Sequence, residues 1–154
     1  MIPDRATVEK IEYQLRKIAF LLRRQGRRIL TRFDLTPPQF DALQFLIYHD
    51  GLTMGELTQR LYLASSTVTD LIQRMEKGEL VKRVRDPRDR RVVRLYVQPR
   101  AHEVLEAVLE ERRRFLARVL GELSPEVVGM LEASLEKLHD QMGAALEKEE
   151  ERQP

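Results

Sequence analysis

Between Thr53 and Val97 the chain changes its apolar period at one boundary, and few folds accommodate what lies on its two sides. Before Gly78 the pattern is helical. Leu57 and Leu61 form a short apolar face behind a cap at Thr53, the linker Tyr62-Leu63-Ala64 follows, and SSTVTDLIQRMEKG then spaces Val68, Leu71, Ile72 and Met75 at i, i+3, i+4, i+7. After Gly78 the period falls to two. Leu80 to Arg85 reads as a strand, Asp86 to Arg90 as a loop, and Arg91 to Val97 as a second strand with Val93, Leu95 and Val97 on one side and Val92, Arg94 and Tyr96 on the other. Two short helices joined by a tight turn and followed by a hairpin make a winged helix-turn-helix.

The second of those helices keeps Ser65, Ser66, Thr67, Thr69, Asp70, Gln73 and Arg74 off its apolar face. An ordinary solvated helix would show Glu/Lys pairs four apart, and residues 65–75 show none. Small hydroxyl side chains let a helix approach phosphates at its N-terminus, while Thr, Gln and Arg offer the donors and acceptors that base edges require. Asp70 either accepts from a cytosine amine or pairs with a neighbouring arginine, and the pairing is the simpler expectation. The hairpin adds charge of one sign: residues 83–97 hold six arginines, Arg83, Arg85, Arg88, Arg90, Arg91 and Arg94, against Asp86 and Asp89. Although the whole chain has a net charge of only +2, residues 74–100 carry ten Lys/Arg against four Asp/Glu, and residues 126–154 carry three against eight. A local basic block of this kind is the footprint expected of a polyanion-binding surface, here duplex DNA with phosphates or the minor groove within reach of the wing.

On either side the sequence is helical. Val8, Ile11, Leu15, Ile18, Leu22 and Ile29 make one seam of a helix ending near Thr31. Thr36 caps a second helix with Pro37 at its first position and Phe40, Leu43, Phe45, Leu46 and Ile47 as its core face, and Asp50-Gly51 stops it. Pro99 opens a long helix through Leu120, and Ser124-Pro125 starts another with Val127, Met130, Leu131, Leu135, Leu138 and Met142 as its apolar face. The fold class is therefore mainly α with a small β-hairpin. Residues 34–98 are the winged helix-turn-helix, and 1–33 with 99–154 form a helical region too apolar for so small a domain to absorb. A second copy is the simplest cover, with Ile11, Leu15, Ile18, Leu131, Leu135 and Leu138 as dimerisation residues, and a two-fold dimer suits a pseudo-palindromic site.

Other classes lose ground. The chain has no cysteine, so disulfides, thiolate metal sites and cysteine redox sensing are excluded for it. Its longest apolar runs are too short to span a membrane, and the N-terminus lacks the apolar stretch of a signal peptide, so a cytoplasmic protein is expected. His49, His102 and His139 lack ligand spacing, no glycine-rich phosphate loop or nucleophile motif occurs, and Ser65-Ser66 reads as capping. We expect no metal, no cofactor and no catalytic residue. The glutamates at 147 and 149–151 read as a solvated tail.

With STVTDLIQRMEKGELVKRVRDPRDRR at its centre and this order of elements, the chain resembles, over nearly its whole length, the MarR (multiple antibiotic resistance regulator) family of dimeric winged-helix transcription factors. Asp89-Arg90-Arg91 matches the Asp-x-Arg motif of that family's wing. The resemblance implies that Arg90 or Arg91 enters the minor groove and that Asp89 organises the loop. It also implies a repressor whose DNA affinity answers to a small aromatic, often phenolic, acid bound between the dimer helices and the DNA-binding lobe; the family's pocket residues do not transfer, and our own expectation is that the pocket draws on the first helix, on Phe45, Tyr48 and His49, and on the helix after Pro99. The chain departs from the family pattern where Tyr62 replaces a turn glycine, where Ala64 replaces a serine, making Ser65 the expected cap, where Gly78 stands one position before the family's glycine, and at Val97-Gln98. The alternative reading is a winged-helix dimer that serves as a protein-interaction module without specific DNA binding.

Overall fold

The computed structural model describes residues 2–150; Glu151 of the acidic tail and the last residues of the C-terminal helical region lie outside the described residues. Six helices and one hairpin follow in the order α1 (Arg5–Arg32), α2 (Pro37–Tyr48), α3 (Met54–Leu61), α4 (Ser65–Lys77), β1 (Val81–Arg85), β2 (Val93–Val97), α5 (Pro99–Leu120) and α6 (Pro125–Glu150). Two compact units result, one through Arg112 and one from Arg113 onward. No helix among the described residues is long and apolar enough to cross a membrane.

Local chemistry sets the helix starts. Asp4 caps α1, accepting from the Thr7 amide at 3.0 Å and the Thr7 hydroxyl at 2.7 Å. Thr36 and Gln39 form a reciprocal capping box at α2, with Pro37 in the first position where no donor is needed, and Thr53 and Glu56 form another at α3. The expected Ser65 cap is not realised. Ala64 holds the extended cap conformation and offers no side-chain acceptor, while Ser65 is already helical and its carbonyl accepts from the Thr69 hydroxyl at 2.9 Å.

The core of the first unit is built from Phe40, Leu43 and Leu46 of α2, Leu57 of α3, Val68, Ile72 and Met75 of α4, and Val81 and Leu95 of the hairpin. Ile29 and Leu30 of α1 and Ala101, Leu105 and Val108 of α5 are buried in the same cluster. Ile29 thus leaves the exposed seam expected for the first helix and serves its own chain. Gly51 brings the α2–α3 turn against the hairpin: its φ is +76°, and a Cβ there would meet the Tyr96 ring at 3.3 Å.

The strands pair antiparallel from Val81↔Val97 to Arg85↔Val93 and are shorter than expected. Leu80 belongs to the turn out of α4, its amide donating to the Met75 carbonyl, and Arg91 and Val92 belong to the loop, closed by Val92 N–H to Asp89 O and Asp86 N–H to Val92 O, each 2.9 Å. Gln98 has its own use, bracing β1 through its side-chain amide on the Val81 carbonyl at 3.1 Å.

Candidate nucleic-acid interface

α4 presents two unlike faces. Val68, Leu71, Ile72 and Met75 are buried, and Ser65, Ser66, Thr67, Thr69, Asp70, Gln73 and Arg74 are all exposed on the side away from the core. The seven polar residues singled out in the sequence therefore lie on one open surface. Asp70 and Arg74, four apart, form no ion pair with each other, and Asp70 has no ion-pair partner among the described residues; with Thr67 and Arg74 it borders a small cleft against the start of α2. The expected pairing of Asp70 is not made.

The hairpin uses its arginines in two ways. Where the strands meet the loop, at the base of the wing tip, Arg94 Nε donates to Asp86 Oδ2 at 2.6 Å and its Nη1 to the Gly51 carbonyl at 3.0 Å, tying β2 to the loop and to the α2–α3 turn. Thr53 forms an isolated bridge with Arg94, and the Leu95 amide donates to the Leu52 carbonyl at 2.8 Å, so the same turn is stitched to β2 by backbone. Arg83 pairs with Glu76 of α4 at 2.9 Å. Arg85 reaches over the loop to the Arg90 carbonyl at 3.0 Å. Asp86 Oδ1 accepts from the amides of Arg88 and Asp89, and these bonds with Arg94 hold the Asp86 carboxyl below its ordinary range, the Arg94 side chain being the largest cause. Asp89 accepts from the Arg91 amide at 3.1 Å and from its guanidinium at 3.2 Å.

What remains is the tip. The side chains of Arg88 and Arg90 are exposed and have no hydrogen-bond or ion-pair partner among the described residues, and Arg91 is exposed with only its neighbour Asp89. Asp89 does organise the loop, as the family motif implies, but Asp86 organises more of it. Asp86 and Arg94 as a structural pair were missed from sequence, because the pair closes across the hairpin and depends on its register.

Each remaining group falls in one unit. Ile11, Leu15 and Ile18 lie exposed along α1, Ile11 and Leu15 sharing a shallow groove with Val8 and Ala19, and Leu131 and Leu135 are exposed on α6 with Leu138 half-buried. Phe45, Tyr48 and His49 surround one open cavity of about 600 Å³, whose other walls are Asp41, Gln44, Arg60, Leu61 and Tyr62. Arg60 stands over the Phe45 ring at 6.0 Å and within 3.5 Å of the His49 ring nitrogen. Its walls are α2, α3 and the turn after α3; the first helix and the helix after Pro99, expected to contribute, do not line it. A second cavity of about 520 Å³, not anticipated, includes Thr31, Asp34, Arg74, Lys77 and Arg100 in its lining.

The MarR family profile matches residues 33–92. An HTH-type transcriptional regulator of Bacillus subtilis, YsmB, is 44% identical over 135 residues, which is 88% of this chain and 92% of the relative. The structure of a MarR family protein from Bacillus stearothermophilus is 45% identical, superposes with a TM-score of 0.80, and covers 92% of this chain and 99% of its own. A variant of MepR from S. aureus, solved bound to an oligodeoxyribonucleotide, shares the fold at a TM-score of 0.69 and 24% identity, with 86% of this chain and 97% of that one covered.

Proposed function

The chain belongs to the MarR family of DNA-binding transcriptional regulators, which are not enzymes, and on that footing we propose that it is a homodimeric repressor of a pseudo-palindromic operator. The observation that carries this reading is the adjacency in sequence and fold of two open surfaces: the polar face of α4 and a wing tip where the side chains of Arg88 and Arg90 have no partner among the described residues. α4 enters the major groove, with Thr67, Thr69, Gln73 and Arg74 toward base edges and Ser65 and Ser66 toward phosphates. The wing tip, led by Arg90, lies along the neighbouring backbone and minor groove, and the exposed pair of Arg91 with Asp89 is weak enough to be exchanged for a phosphate.

The dimer is supported by the apolar groups that the chain leaves in water, Ile11, Leu15 and Ile18 on α1 and Leu131 and Leu135 on α6. The small-molecule response is supported by the 600 Å³ cavity, where the rings of Phe45 and Tyr48 and the guanidinium of Arg60 suit an aromatic acid. Selection of bound duplex from random fragments tests the reading as a whole: it should recover one inverted repeat, and sedimentation should give twice the monomer mass. Recovery of no preferred sequence would remove the repressor. Leu135→Glu should shift the protein to monomer and weaken operator binding together, because a charge buried without a partner is costly.

A further inference from the structure

Among the described residues, three that are not glycine hold left-handed backbone: Asp34 at φ 55°, Tyr62 at φ 53° and Glu79 at φ 59°. Two of these are understandable within the chain. Asp34 has the short polar side chain that tolerates this region, and Glu79, which turns the chain from α4 into β1, places its carboxylate 3.9 Å from Arg100.

Tyr62 has no such reason. A bulky side chain is disfavoured there because its Cβ crowds the following carbonyl oxygen. The turn itself is closed by backbone, the Tyr62 amide donating to the Gln59 carbonyl at 3.3 Å, so glycine would close it as well. Its side chain is 91% exposed, and its hydroxyl has no partner among the described residues. Tyr62 borders the cavity of Phe45, Tyr48 and Arg60, but a ring so open to water is not packed into it.

The position of this phenol supplies a use. Tyr62 stands two residues before the Ala64 cap of α4, ahead of the exposed Ser65, Ser66 and Thr67. When a helix-turn-helix reads a major groove, the second helix contacts bases from its N-terminal residues, so the turn ahead of it runs by the groove's edge, where the phosphates lie. We infer that Tyr62 is a DNA contact, its phenol hydroxyl donating to a phosphate oxygen at the edge of the groove that α4 enters. The inference rests on the docking of α4 proposed above. A hydrogen bond to a charged oxygen is among the stronger ones, which gives the left-handed tyrosine a benefit in the complex to set against its strain in the free protein.

Tyr62→Phe is the deciding variant, since it keeps the ring, the turn and the strain and removes only the hydroxyl. On a fluorescein-labelled duplex selected by the wild-type protein, it should melt at the wild-type temperature and bind about tenfold more weakly. The loss should be equal on operator variants with altered bases, because a phosphate carries no sequence information. Tyr62→Gly should melt higher than wild type and also bind more weakly. If Tyr62→Phe binds as tightly as wild type, the contact does not exist, whatever Tyr62→Gly does. If its loss varies from base to base, the partner is not a phosphate. A wild-type protein that selects no duplex would fail earlier, at the docking of α4, and the two failures are thereby distinct.

Discussion

The base and the tip of the wing are made of the same residue, and they use it in opposite ways. Arg94, Arg83 and Arg85 are engaged within the chain, by Asp86 and the Gly51 carbonyl, by Glu76, and by the Arg90 carbonyl. The side chains of Arg88 and Arg90, a few positions along the same hairpin, reach into water with no partner among the described residues. A count of positive charge along the segment therefore overstates what is available to an outside anion. The difference also explains how a loop so basic is held in one shape: Arg94 neutralises Asp86, Arg91 pairs with Asp89, and the surplus, Arg88 and Arg90, is left at the tip.

The largest effect is expected where the two uses meet. Arg94→Ala leaves Asp86 without its guanidinium partner and Gly51 without its donor, so loop, strand and the α2–α3 turn lose their common tie. Operator affinity should fall by more than about tenfold, with a lower melting temperature and faster hydrogen exchange at the Arg88 and Asp89 amides. A variant that keeps wild-type exchange at those amides would show that Arg94 does not hold the loop. Next in size is the tip. Replacing Arg88 and Arg90 with Ala should leave melting and sedimentation unchanged and weaken operator binding by roughly tenfold, with the larger loss on A·T-rich flanks if Arg90 lies in a narrow minor groove.

Acid should separate the two regions without a mutation. The Asp86 carboxyl is held below its ordinary value of 3.8, so its contribution to the folded loop is present above that value and is lost as the pH falls through the lower folded one. Protection of the loop amides, taken relative to their intrinsic exchange rates, should therefore fall only below about pH 4, and in Asp86→Asn it should already be low at neutral pH. The smallest effect belongs to Arg83→Ala. Its ion pair with Glu76 is partly in water, which limits the change in stability to under about 1 kcal/mol.

Much of this architecture is legible in the sequence because its signals are local. Thr36-Pro37, Thr53 and Ser124-Pro125 mark helix starts where the structure has them, and the apolar spacing of Val68, Leu71, Ile72 and Met75 identifies the buried face of α4. The less legible parts depend on partners distant in sequence or on the exact path of the chain. Ala64 rather than Ser65 is the cap because the turn from Tyr62 delivers an extended residue there, and composition favours the neighbouring serine. The left-handed residue before the wing is Glu79 and not Gly78, whose φ is −80°. Asp86 and Arg94 meet only once Arg85 is paired with Val93, so nothing in either residue's neighbourhood announces the bond.

The salt dependence of operator binding tests the central claim most directly, because it counts phosphate contacts instead of charges. Affinity of wild type, Arg83→Ala and the Arg88/Arg90 double alanine variant should be measured on one duplex across a series of salt concentrations. The account predicts that Arg83→Ala keeps the wild-type slope of log affinity against log salt, while the double variant has a shallower slope by about 0.9 for each phosphate contact it has lost. A double variant with the wild-type slope would mean that the free arginines of the tip do not touch DNA, and the functional division between base and tip would be wrong.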